Sequence, residues 1–176
     1  MIGITGTPGV GKHTVTNLIS KRLDHSILDL TKLVLESNLD ADNVDTDTLG
    51  RMVEEKVVNN MILVGHLLPY VINNLDITHI IILRRNPYDL REIYQSRGYT
   101  EQKTLANLGS EILGTITSDV TQISNVKTSQ IDTTKITADD TATMIINLLD
   151  GKEIPCDVDW LEMIKQKGDL QEFFKY

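Results

Sequence analysis

The chain has 176 residues, 40% of them hydrophobic, and a formal net charge of −8. That length suffices for one α/β domain with a buried core, and the acidic balance excludes a broad basic face for non-specific nucleic-acid binding. The lone cysteine, Cys156, excludes an internal disulfide and a cysteine-based metal cluster and reads as an inert thiol. No apolar run approaches the roughly 18 residues of a membrane span. The first strand begins at Ile2, leaving no cleavable leader ahead of it, so a soluble, cytoplasmic protein is expected.

Ile2-Gly3-Ile4-Thr5 is a short apolar, β-branched run and predicts a buried strand. Gly6-Thr7-Pro8-Gly9-Val10-Gly11-Lys12 follows it, and Val15, Leu18, Ile19 and Leu23 then recur at helical spacing. Strand, glycine loop and helix are the context that the pattern G-x-x-x-x-G-K-[ST] requires. Its glycines turn backbone N–H groups inward as an anion nest, the helix N-terminus adds positive potential, and Lys12 reaches the β- and γ-phosphates. The last position of the pattern holds His13, not a hydroxyl residue, and Thr14 comes next.

The remaining elements alternate. Ser26 to Leu30 predicts a second strand leading into a helix through about Ser37, and Asn38 to Asp47 is a polar, acidic loop. Asp47 or Thr48 can cap a helix to about Asn60. Met61 to Val64 and His79 to Leu83 are apolar runs predicting the third and fourth strands, followed by Gly65-His66 and Arg84-Arg85. Pro87 suits the first turn of a helix to about Arg97. Gly98 breaks it, and one helix is expected from Glu101 to Asp119. Val126 to Ile131 predicts the fifth strand, and a helix runs from Thr137 to Gly151. Trp160, Phe173 and Phe174 in the tail from Lys152 are expected to pack on the domain, with a partner surface as the minority alternative. The expected fold is a P-loop α/β domain, 1–176, with a five-stranded parallel sheet covered on both faces.

In such a sheet the ligand sits at the carboxyl ends of the strands, which directs attention to Asp29, His66, Arg84, Arg85 and Asp132. Phosphoryl transfer needs cations around the moving group, an oriented acceptor and exclusion of water. Lys12 supplies one cation. Arg84 is expected to supply a second, the alternative being an arginine at a sheet edge. Arg97, beside the Gly98 hinge, suits a closing lid, or else caps a helix. His66 either positions an acceptor or water, or serves structure. Arg51, the one cation of the segment after Asn38, is a candidate for an acceptor phosphate.

The loop Gly6 to Lys12, Gly65-His66, Leu83-Arg84 and the series Arg97-Gly98-Tyr99, Lys103, Asn107, Glu111 resemble the adenylate kinase isoenzyme 6 family over roughly residues 1–150. The resemblance implies nucleoside monophosphate kinase and ATPase activities, ATP with Mg²⁺ and AMP as ligands, and a part in small ribosomal subunit maturation through a small-subunit ribosomal protein. It implies that Gly9, Gly11, Lys12, His13 and Thr14 meet the ATP phosphates and that Arg97 meets ATP from the lid. It further implies that residues from about Asp29 to Met52 bind the monophosphate, that Ser96 to Ala106 form the lid, and that Lys135 lies near the adenine.

Two departures fall on the metal. His13 replaces the hydroxyl that normally meets Mg²⁺, and Val64 stands where the family has an aspartate two residues before its histidine. Mg²⁺ prefers hard oxygen ligands, so no protein metal ligand is expected. Thr14 shifting into the role, a Mg²⁺ held by phosphates and water, and weak catalysis with nucleotide as a conformational switch remain open. So does a plain hydrogen bond from the His13 ring to a phosphate.

Overall fold

The computed structural model describes residues 1–37, 39, 40, 43–123, 125–154 and 158–174; Cys156, and the inert thiol expected there, lie outside them. The strands are β1 (Ile2–Thr5), β2 (Ser26–Asp29), β3 (Met61–Val64), β4 (His79–Arg84) and β5 (Lys127–Asp132). They form one parallel sheet in the order β2-β3-β1-β4-β5. The order changes direction about β1, so its carboxyl end opens on the crevice where ligands bind in such sheets. No helix is long and apolar enough to cross a membrane among the described residues.

The helices are α1 (Lys12–Leu23), α2 (Leu30–Glu36), α3 (Thr46–Lys56), α4 (Pro87–Ser96), α5 (Glu101–Leu113), α6 (Thr115–Ile123), α7 (Ala138–Leu149), α8 (Trp160–Lys167) and α9 (Leu170–Phe173). Strand alternation sorts two cores. Ile4, Ile81 and Leu83 pack with Val15 and Ile19 of α1, Ile145 of α7 and Ile164 of α8. Ile80 and Ile82 point the other way, against Leu30 and Leu33 of α2, Leu49 of α3 and Val120 of α6. Each fully buried aliphatic side chain stabilises by about 1.5–3 kcal/mol.

Two features differ from the expectations, and the tail behaves as expected. The helix expected over Glu101–Asp119 is two helices, because Gly114 takes φ +63° and closes α5. A helix C-terminus in the left-handed region is what glycine permits. The third helix is capped at Asp45 rather than at Asp47 or Thr48, since the Asp45 carboxylate accepts from the Asp47 and Thr48 N–H groups. The tail packs on the domain: Trp160 is 9% exposed, Phe173 1% exposed, and Tyr88 meets Phe173 edge-on with ring centres 5.2 Å apart.

Candidate nucleotide-binding site

The loop between β1 and α1 is built by its glycines. Gly6 has φ +138°, and a Cβ there would lie 2.2 Å from the Leu83 carbonyl oxygen. Gly9 has φ +90°, and a Cβ there would meet Leu90 at 3.0 Å and Tyr94 at 3.2 Å. The backbone therefore follows a path closed to larger residues. Helix α1 starts at Gly11 with no side-chain cap and no acidic residue in its first turn, so its N–H groups remain open to an anion. Lys12 Nζ donates to the Gly6 and Thr7 carbonyls, both at 2.8 Å. Burial lowers its pKa to about 8 against the raising effect of Glu111, and nearby Arg97 lowers it further.

A cavity of about 760 Å³ opens over this loop. Lys12, Arg97 and Lys103 line it as cations, Asp119 as its lining carboxylate, with Gly9, Gly11, His13, Thr14 and His66 around them. In a chain of net charge −8, this concentration of positive charge in one cleft focuses the potential for an anionic ligand. Asn107 also lines the cavity, and its Nδ2 is buried without a hydrogen-bond partner. A buried orphan donor is costly unless a ligand accepts from it. The cradle, the cations and this donor fit a nucleoside triphosphate.

The segment 96–106 is tied to the loop through aromatic contacts. Tyr94 Oη donates to the Pro8 carbonyl at 2.6 Å. Tyr99 stacks on Tyr94 with centres 5.3 Å apart and 6° between planes. Lys103 Nζ sits 4.7 Å above the Tyr99 ring, a favourable cation–π contact. Arg97 ends α4, and Gly98 at φ +67° turns the chain into α5. His66, just after β3, has its pKa lowered, first by desolvation and then by the Lys12 ammonium, which favours a neutral ring.

Arg84 requires a correction. It shares the face of Ile80 and Ile82, is 4% exposed, and does not line the phosphate cavity. Its Nε donates to Glu111 Oε1 at 2.8 Å, one terminal nitrogen to the Glu111 carbonyl and the other to Gln130, both at 2.6 Å. The donors expected on the transferring group are consumed inside the protein. Glu111 is the residue the sequence left without a role. Its carboxylate also accepts from Thr7 Oγ1 at 2.7 Å, Trp160 Nε1 at 3.0 Å and the Arg85 N–H at 3.1 Å. Its spacing from Lys103 and Asn107 puts all three on one helical face, the one signal available in advance.

The other expected residues are dispersed. Arg51 is on α3, where it donates to Thr48 Oγ1 at 3.1 Å and lines a separate cleft of about 360 Å³ with Glu54 and Asn74. Tyr70 borders both clefts. Lys135 is exposed on the loop after β5 and does not line the cavity, although Thr133 of that loop donates to the Val10 carbonyl at 3.1 Å. Asp29 does not line the cavity either. One of its carboxylate oxygens caps α2 through the Thr31 and Lys32 N–H groups, and the other lies 3.0 Å from His13 Nε2.

The two positions expected to meet Mg²⁺ fit it poorly. Val64 is aliphatic and 1% exposed, and His13 offers a nitrogen. Among the described residues no group of three or more His, Cys, Asp or Glu side chains could hold a metal ion.

Comparison with known proteins agrees with this geometry. The AAA domain family model matches residues 2–114. A protein of Methanocaldococcus jannaschii named "Putative adenylate kinase" is 34% identical over 172 residues, covering 92% of this chain and 93% of its own length. A protein of Thermococcus onnurineus with the same name is 31% identical over 170 residues, covering 92% of each chain. The crystal structure of shikimate kinase from Bacteroides thetaiotaomicron superimposes with a TM-score of 0.59 at 17% identity, covering 85% of this chain and 97% of that one, and shares the fold. This chain belongs to the adenylate-kinase-like family of P-loop AAA domain proteins.

Proposed function

We propose that this protein is a phosphotransferase of the adenylate kinase isoenzyme 6 type, moving the γ-phosphoryl group of ATP to AMP and hydrolysing ATP when no acceptor is bound. The observation that carries the reading is the convergence of the phosphate loop with Lys12, Arg97 and Lys103 in one cavity. The names of the archaeal relatives support the same activity.

In this mechanism the loop N–H groups and Lys12 hold the β- and γ-phosphates. A bound phosphate draws Lys12 Nζ from the Gly6 and Thr7 carbonyls. Arg97 and Lys103 neutralise charge from the segment 96–106, which closes about Gly98 and excludes water. A neutral His66 orients the acceptor, or a water molecule when hydrolysis prevails. The segment 29–52 receives the monophosphate, with Arg51 as its cation across Tyr70. Asn107 Nδ2 finds its acceptor on the nucleotide.

A second reading is an ATP-driven switch that carries a small-subunit ribosomal protein during ribosome maturation. The net charge of −8 favours it, because an acidic carrier complements a basic partner. ADP release from ATP alone and from ATP with AMP tests both. Strong stimulation by AMP supports the kinase. A rate indifferent to AMP and raised by a basic ribosomal protein supports the switch. No ADP release under either condition overturns both.

A further inference from the structure

We propose that His13 is a nitrogen ligand for the divalent cation that accompanies a bound nucleotide, and that the site therefore favours imidazole-binding cations such as Co²⁺ and Ni²⁺ over Mg²⁺. This inference rests on the nucleotide-binding reading of the cavity. It begins from the contact between His13 Nε2 and Asp29 Oδ2 at 3.0 Å.

An ionised carboxylate only accepts hydrogen bonds, so Nε2 is the donor, and Nδ1 is the ring nitrogen left to meet a metal. The carboxylate is itself fixed. Its Oδ1 accepts from the Thr31 N–H at 2.9 Å and the Lys32 N–H at 3.2 Å. A histidine that gives one ring N–H to a carboxylate and the other nitrogen to a metal is the usual outer-shell arrangement, which sets the tautomer and strengthens the ligand.

Position agrees with this chemistry. His13 follows Lys12 in the first turn of α1 and lines the phosphate cavity, with its side chain 52% exposed. Nδ1 is bonded to Cγ, one bond farther from Cβ than the Oγ of a serine or threonine at the same place. It can therefore enter the coordination shell that the hydroxyl would have joined.

The sheet register explains the second departure. Asp29 at the end of β2 stands directly opposite Val64 at the end of β3. The carboxylate missing from β3 is supplied one strand over, where it holds His13. Mg²⁺ takes oxygen ligands and rejects this arrangement, whereas imidazole suits later first-row cations. One protein nitrogen, the nucleotide phosphates and water complete the shell, in keeping with the absence of a multi-residue metal cluster among the described residues.

The experiment uses the full chain with a fluorescent ATP analogue in EDTA, Mg²⁺, Mn²⁺ and Co²⁺, together with electron spin echo envelope modulation of the Mn²⁺–ATP complex. The wild-type complex is expected to show ¹⁴N modulation from a directly bound imidazole, and His13→Ser to lose it. The ratio of affinities in Co²⁺ and Mg²⁺ is expected to fall about tenfold in His13→Ser, as a nitrogen ligand gives way to oxygen. Asp29→Asn, which keeps the α2 cap, is expected to weaken the modulation. Bound Mn²⁺–ATP without ¹⁴N modulation, or a metal ratio unchanged in His13→Ser, overturns the proposal. Failure to bind the analogue under every condition, EDTA included, overturns the nucleotide-site reading itself.

Discussion

Thr7 in the phosphate loop donates a 2.7 Å hydrogen bond to Glu111, 104 positions later in α5. The same carboxylate receives Arg84 from β4 and Trp160 from α8. One buried group thus ties the loop, helix α5, the central sheet and the tail. Its charge is compensated by Arg84 and by these donors, which is the condition under which a buried ion pair is tolerated.

Glu111→Gln is expected to break this junction. The amide turns a donor toward groups that already donate, and Arg84 is left buried without its counter-charge. Removing one partner of such a pair costs about 3–5 kcal/mol. Urea unfolding should show a lower midpoint with an unchanged slope. ATP affinity should fall as well, because Thr7 loses its anchor.

Arg84 and Arg97 separate structure from chemistry. An arginine on a transferring phosphoryl group is worth about 10³–10⁵ in kcat. Arg84→Lys is expected to lower the unfolding midpoint while kcat at low temperature stays within about tenfold of wild type, far short of that range. Arg97→Ala is expected to behave oppositely, with kcat strongly reduced and the unfolding midpoint nearly unchanged, since Arg97 is exposed at the end of α4. Steady-state rates beside melting curves for both variants check this.

The sheet and the loop were legible because their signals are local. Four-residue apolar runs gave β1 and β3 their observed bounds, and the glycine spacing gave the anion nest. What escaped were relationships between distant residues. Arg84 looked available because it ends a strand, yet strand alternation aims it at Glu111, whose burial no local pattern reveals. The break at Gly114 was hidden by apolar spacing that continues through Ile116. Asp29 was read as facing substrate, and its pairing with His13 depends on β2 lying beside β3, which strand order alone decides.

Gly9→Ala is expected to disable the loop without unfolding the protein. Gly9 is at φ +90°, and the new methyl would press on Leu90 and Tyr94 at 3.0 and 3.2 Å. Tyr94 holds the Pro8 carbonyl and the Tyr99 stack, so the disturbance passes to the start of α5. Backbone strain of this kind costs about 1–3 kcal/mol. Binding of an ATP analogue should weaken sharply, while far-ultraviolet circular dichroism remains that of the wild type.

The pH dependence of ATP binding follows from Lys12. Its pKa in the free protein is lowered to about 8, chiefly by burial. A bound phosphate favours the ammonium and raises that pKa, so binding above pH 8 takes up a proton. Affinity should be full below about pH 8 and then fall by up to tenfold per unit, until the raised pKa of the complex is passed. The folding contribution has the opposite trend. The unfolded chain holds the Lys12 proton up to its ordinary value of 10.5, so the cost of burying the cation is complete below pH 8 and is relieved as pH rises between the two values. Calorimetric titration at pH 7, 8 and 9 in buffers of different ionisation enthalpy measures both affinity and proton uptake. Lys12→Met should abolish the proton uptake and most of the affinity, whereas a wild-type affinity constant across this range would exclude Lys12 as the phosphate-binding cation.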